Sequence, residues 1–183
     1  IGPPISGIEV KIVGADGCEV EEGLPGELLV RGPNVMLGYY GQPELTAGVI
    51  DEHGYLKTGD IVSRSAGGEL VIQGRSKELI IRSGFNVYPP EIEAILNMHP
   101  AVLNSAVVGR SVEGNEEIIA FVEPVPGGSV ETNDLFAFLD VQLVRYKKPQ
   151  HIIVMQQLPV APNGKIRKHE LKKYAETYAL LAQ

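Results

Sequence analysis

An α+β fold is predicted for this chain, and three observations predict it. The first 74 residues read as strands in series, with apolar and polar residues alternating between turns such as Gly14-Ala-Asp-Gly17 and Gly67-Gly68. From residue 78 onward, short apolar runs alternate with segments whose apolar residues recur at helical spacing. The composition is globular: of 183 residues, 44% are hydrophobic and 21% charged, enough to bury a core without disulfide or metal staples. Such a length suits one large domain or two small ones.

In the first part, Ile8–Val13 and Gly26–Arg31 are expected as half-buried strands. Pro43–Val49 is expected as a short helix, opened by proline in its first turn and ended near Gly54. Tyr55–Lys57, Asp60–Arg64 and Glu69–Gln73 are further strand runs, the last two joined by the Gly67-Gly68 hairpin signal. The change of pattern puts a domain boundary near residues 74–77. Beyond it, Glu78–Arg82 reads as a strand, Ser83-Gly84 as a tight turn, and Pro90–Met98 as a helix with Ile92, Ile95 and Leu96 on one face. Strands Val102–Gly109 and Ile118–Glu123 follow. A helix is expected from Asp134 to Val144, with Leu135, Phe138, Leu139 and Leu143 buried and Thr132 or Asn133 as its cap. His151–Met155 is a last strand, Pro159–Gly164 a loop and Lys168–Leu181 a closing helix.

Several function classes are excluded. Apolar runs such as Ile118–Val122 are far short of the ~20 residues that span a bilayer, so no transmembrane helix is expected. The single cysteine, Cys18, makes no internal disulfide, and there is no signal-peptide pattern, which points to a reducing cytoplasm. A net charge of −7 argues against nucleic acid as the main partner. That charge is uneven: residues 1–64 hold ten acids and four bases, whereas residues 145–173 hold eight bases and only Glu170 as an acid. The basic stretch reads either as a solvated face or as an anion-binding patch. His53, His99, His151 and His169 show no metal-ligand spacing, and no G-x-S-x-G elbow marks a serine nucleophile.

Four places carry more chemistry than filler requires. Thr58-Gly59-Asp60 and Gly74-Arg75 set a carboxylate and a guanidinium beside glycines, and Arg82-Ser83-Gly84-Phe85-Asn86 holds a tight turn before Pro89-Pro90. Pro159-x4-Gly164-Lys165 resembles the end of a phosphate-cradling loop, but Ile166 replaces the Ser/Thr a Walker motif needs, leaving a lysine on a Pro/Asn/Gly loop. A carboxylate accepts hydrogen bonds from a vicinal diol, a guanidinium or ammonium binds phosphate, and glycine admits close approach. Together they suit a nucleotide.

Read in order, Gly38-Tyr39-Tyr40, Tyr55-Leu-Lys-Thr-Gly-Asp60, Gly74-Arg-Ser-Lys77, Ser83-Gly-Phe-Asn-Val-Tyr-Pro-Pro-Glu-Ile-Glu93 and Pro159-x4-Gly164-Lys165 resemble the later core motifs of the acyl-adenylate-forming superfamily. The stretch Gly84-Phe-Asn-Val-Tyr-Pro89 is most similar to fatty-acyl and related acyl-CoA ligases. The resemblance covers nearly the whole chain. It implies that residues 1–74 are the end of the large AMP-binding domain, a β-rich, barrel-like subdomain. Residues 75–77 would then be a hinge, and residues 78–183 the mobile C-terminal domain. The opening Ile1-Gly2-Pro3-Pro4, without a Met, likewise reads as a piece of a longer polypeptide. The family's phosphate loop, its magnesium-binding glutamate and most of its acyl pocket would lie upstream, so no metal ligand is expected in this stretch, which alone should be inactive.

The same resemblance implies a two-step activity with ATP, CoA and Mg2+: a carboxylic acid becomes acyl-AMP, and CoA thiolate then takes the acyl group. Asp60 would hold the ribose hydroxyls, and Arg75 the ribose or phosphate side. Lys165 would bridge the attacking carboxylate and the α-phosphate. Lys77 would absorb the hinge rotation that brings Ser83, Gly84, Phe85 and Asn86 to the acyl-adenylate, with Gly84 lining the pantetheine tunnel. Implied partners are the acid, ATP, CoA, the N-terminal domain and a protein acetyltransferase acting at Lys165. The expected location is cytoplasmic, with peripheral membrane association left open. Two alternatives stay open: an enzyme that loads a carrier protein instead of CoA, and a stand-alone binding module.

Overall fold

Alternating side chains organise the first part of the chain into one antiparallel sheet. A computed structural model describes residues 1–181, and the chain divides into two compact units, Ile1–Lys77 and Glu78–Gln183. In the first unit, β1 (Glu9–Val13), β2 (Gly26–Arg31), β3 (Leu56–Arg64) and β4 (Leu70–Arg75) lie in sequence order, each antiparallel to the next. Ile12, Leu28, Val62 and Leu70 form its buried cluster, one residue from each strand. The sheet is open with β1 and β4 as edges, so the barrel-like expectation holds for its β-richness but not for closure. The helix α1 (Pro43–Val49) starts on proline as expected and buries no residue.

The two runs read as separate strands, Tyr55–Lys57 and Asp60–Arg64, join into β3. Its register slips against β2 between Glu27 and Leu29, and against β4 between Ile61 and Val62. Gly59, at φ 72°, occupies the first slip. Thr58-Gly59-Asp60 is therefore a bulge, a device that re-aims side chains within a ladder.

In the second unit, the short hairpin of β5 (Ile80–Arg82) and β6 (Phe85–Val87) leads into α2 (Pro89–Leu96). Next come β7 (Val102–Val112), β8 (Asn115–Pro124), α3 (Thr132–Asp140), β9 (His151–Val154) and α4 (Lys168–Leu181). The sheet order is β7-β8-β9, antiparallel then parallel. Successive residues of β7 and β8 enter different cores. Val107, Ile118, Ala120 and Val122 pack with Ile80, Val87, Ile92, Leu96 and Leu135, whereas Ala106, Val108, Ile119 and Phe121 pack with Leu158, Leu171 and Ala175. Burial on both faces explains why Ile118–Val122 is a continuous apolar run.

Several boundaries differ from the sequence reading: β5 starts at Ile80, with Glu78 in a 3-10 turn, and α2 ends at Leu96 short of Met98. The β7–β8 hairpin runs on to Val112 and Asn115 around Glu113-Gly114, because its outer part is held by the ladder and a cross-strand Arg110–Glu117 pair and needs no apolar residues. α3 stops at Asp140, and Leu143 is buried from the following turn. Its N-cap is Glu131, in extended conformation with no side-chain cap bond, so neither Thr132 nor Asn133 caps it.

Candidate functional site

Asp60, the last residue of the β3 bulge, lies opposite Arg75 at the end of β4, past the register slip at which β4 carries the extra residue Gln73. Arg75 Nε lies 2.9 Å from Asp60 Oδ1 in an ion pair, and Arg75 Nη1 donates to Thr58 O at 3.3 Å. The bulge is itself tied down. Thr58 Oγ1 donates to Leu28 O at 2.9 Å and accepts the Asp60 N–H at 3.1 Å, while the Gly59 N–H donates to Glu27 Oε1. Asp60 is 23% exposed and Arg75 57%, so both remain reachable. A carboxylate has about four lone-pair sites, and one guanidinium bond leaves acceptors for a diol.

A single 3-10 turn, Ser76–Glu78, joins the units, with exposed Lys77 as the last residue of the first. The β5–β6 hairpin follows. Arg82 pairs with Phe85 across the two-residue turn Ser83-Gly84, in which both residues have positive φ, 51° and 81°. This is the turn chemistry that matches strand twist. Ser83 is the one non-glycine residue with positive φ among the described residues. Ser83, Gly84, Phe85 and Asn86 are all exposed, with Val87 buried beneath them. Phe85 stacks on Tyr146 at 4.5 Å between ring centroids, and Arg82 Nη1 donates to the carbonyls of Tyr146 (3.1 Å) and Lys148 (2.6 Å). Burial pushes the Arg82 guanidinium below its ordinary value while Glu117 pulls the other way.

Lys165 lies on a separate loop. Gly164, at φ 80°, donates its N–H to Ala161 O, Ala161 N–H donates to Lys165 O, and Asn163 Oδ1 accepts the Lys165 N–H. The backbone is thus fixed while the side chain stands exposed, its ammonium without a hydrogen-bond or ion-pair partner among the described residues. Lys168, at the start of α4, does the opposite. Its Nζ lies 2.7 Å from Glu78 Oε2 and 2.9 Å from Glu93 Oε1, fastening the helix that follows the Lys165 loop to α2 and to the first residue of the unit.

Burial opposes the Lys168 charge, but Glu93 and Glu78 outweigh it and raise its pKa. Its stabilising contribution is therefore fully present below the ordinary lysine value of about 10.4 and is lost as pH rises through the raised value. Lys168→Met should lower unfolding free energy by roughly 1–3 kcal/mol at neutral pH, since it strands two carboxylates at a partly buried site. Urea titrations at pH 7 and pH 11.5 check this: the gap between wild type and variant should narrow at the higher pH.

The Ser83–Asn86 hairpin and the Lys165 loop belong to different faces of the β7-β8-β9 sheet. Ile80 and Val87 anchor the hairpin in one core, while Leu158 and Ile166 anchor the loop against the other. The structure thus brings Asp60 to Arg75 and keeps Lys165 apart from the Ser83–Asn86 turn. The basic stretch is half neutralised, with Lys147 paired to Glu91, Lys148 to Asp140, Arg167 to Glu170, and Lys168 as above. Among the described residues no group of three or more His, Cys, Asp or Glu is placed to hold a metal ion, and no helix is long and apolar enough to cross a membrane. Sequence reading missed Asn115 and Glu116, which reach the Ser83 turn from the tip of the β7–β8 hairpin. The Glu113-Gly114 pair was the available signal, as a two-residue hairpin turn.

The family model for the C-terminal domain of AMP-binding enzymes matches residues 91–165, and that for the AMP-binding enzyme itself matches residues 1–40. The chain belongs to the AMP-binding enzyme family. Within this adenylate-forming family it is 37% identical to indoleacetate–CoA ligase of Aromatoleum aromaticum, over 95% of this chain and 34% of that protein. It is 40% identical to a long-chain-fatty-acid–CoA ligase of Yersinia pestis, over 94% of this chain and 30% of that protein. In structure it matches ATP-bound MatB from Rhodopseudomonas palustris with a TM-score of 0.90 and 33% identity, over 96% of this chain and 35% of that one. The chain spans about a third of the length of the AMP-binding relatives it matches.

Proposed function

We propose that this chain is the C-terminal portion of an ATP-dependent acid–CoA ligase. Residues 1–74 would close its AMP-binding domain, residues 75–77 form the hinge, and residues 78–183 make the mobile C-terminal domain. The observation that carries the reading is Lys165: an ammonium unpaired among the described residues, on a fixed loop and on a different sheet face from an exposed glycine turn. In the first step a substrate carboxylate oxygen bonds to the α-phosphorus of ATP as the bond to pyrophosphate breaks. Two anionic groups must meet, and the Lys165 ammonium stabilises the charge they concentrate. Asp60 accepts hydrogen bonds from the ribose hydroxyls, with Arg75 holding its carboxylate in place. In the second step CoA thiolate attacks the acyl carbon and AMP leaves with the bonding pair. Ammonium charge at the carboxylate–phosphate encounter no longer helps, and the Ser83–Asn86 turn guides the pantetheine arm, with Gly84 admitting its close approach. The ligand of Mg2+ is proposed to lie outside these residues.

Fatty acids are the proposed acids, supported by the Gly84–Pro89 motif and by the fatty-acid ligase among the relatives. The test is acid-dependent ATP–pyrophosphate exchange by the full-length enzyme with fatty and aryl acids, followed by addition of CoA. Fatty-acyl-CoA should form. Aryl preference would reject the acid class, and acyl transfer only to a phosphopantetheinyl carrier protein would reject CoA in favour of the carrier-loading alternative. Exposure of the Lys165 loop also suits a protein acetyltransferase, and acetylation would remove the charge and silence adenylation. Mass spectrometry after treatment with such an enzyme and acetyl-CoA should find Lys165 modified ahead of surface lysines such as Lys172.

A further inference from the structure

We infer that Asn115 is a positioning residue for the Ser83–Asn86 turn, holding the Ser83 backbone in its left-handed conformation; the inference rests on the CoA-guiding role proposed above. The conformation needs support. At φ 51° a serine lies where its Cβ crowds the backbone, a strain that glycine avoids. A hairpin with three residues per strand is also marginal alone.

Support comes from the tip of the β7–β8 hairpin. Asn115 Oδ1 accepts the Ser83 N–H at 2.8 Å and the Glu116 N–H at 2.9 Å, and Asn115 Nδ2 donates to Ser83 Oγ at 3.4 Å. The next residue repeats the device: Glu116 Oε2 accepts the Ile81 N–H at 2.6 Å. In the β5–β6 ladder Arg82 is the residue that closes the turn with Phe85, so the amides of Ile81 and Ser83 point away from β6. Two side chains therefore take the place of a missing neighbouring strand along β5. Because Asn115 grips both the amide and the hydroxyl of Ser83, it fixes the turn at the residue whose dihedral is least favourable.

The full-length ligase tests this through its separate half-reactions. Asn115→Ala should leave ATP–pyrophosphate exchange within about twofold, lower CoA-dependent consumption of supplied acyl-AMP about tenfold, and raise the KM for CoA. Ser83→Gly in the Asn115→Ala background should restore most of that loss, since glycine adopts positive φ without a partner. A merely structural role would lower both half-reactions together and gain nothing from the glycine. If Asn115→Ala folds poorly, Asn115→Asp keeps the Oδ1 acceptor and should retain the thioester step. Gly84→Val separates the two levels of the proposal. If it spares the thioester step, the CoA-guiding role of the turn is wrong. If it abolishes that step while Asn115→Ala does not slow it, or if Ser83→Gly fails to rescue, the role of Asn115 alone is wrong.

Discussion

Replacing Lys165 by Ala in the full-length enzyme is expected to slow acyl-AMP formation by ~10²–10³-fold, the usual loss when a charge aimed at a transition state is removed. Thioester formation from supplied acyl-AMP should stay within about twofold. The asymmetry follows from electrostatics: two negative groups must approach only before the anhydride exists. It should not come from misfolding. Lys165 is exposed and its side chain makes no hydrogen bond or ion pair among the described residues, so unfolding free energy should change by less than about 0.5 kcal/mol. Pyrophosphate exchange and acyl-AMP consumption, measured on the same preparation, separate the two steps.

Lys77→Pro should produce the reverse partition. Lys77 is exposed within the 3-10 turn Ser76–Glu78, the segment that joins the units. Proline fixes φ near −65° and restricts the residue before it, so a turn proposed to change dihedrals as a hinge would lose that freedom at two adjacent positions. Adenylation should persist within a few-fold while acyl-CoA formation falls at least tenfold and acyl-AMP accumulates on the enzyme. Normal overall turnover would remove the hinge assignment.

Local sequence made much of this legible. Gly59 marked the break that proves to be the bulge of β3 against β2, and Ser83-Gly84 marked the turn, because both features are set by backbone dihedrals that few residues tolerate. The Pro159–Lys165 loop was equally plain from its Pro, Asn and Gly. What was not legible depends on partners distant in the chain. Lys168 looked like one more base in a basic stretch, yet it joins Glu78, 90 residues away. Asn115 and Glu116 lay where the apolar run of β8 had stopped, so reading strands by hydrophobicity ended β8 at Ile118 and hid the hairpin tip that reaches Ser83. The helix α3 was overextended for the converse reason, since Leu143 keeps helical spacing while its burial comes from a turn.

One rapid-quench experiment on the full-length enzyme, following acyl-AMP and acyl-CoA together, bears most directly on the assignment of the two half-reactions to two faces of the second unit. With acid, ATP and CoA supplied, Lys165→Ala should form almost no acyl-AMP yet convert added acyl-AMP to thioester. Lys77→Pro should build up acyl-AMP and pass it on slowly. Loss of the same half-reaction in both variants would contradict that assignment.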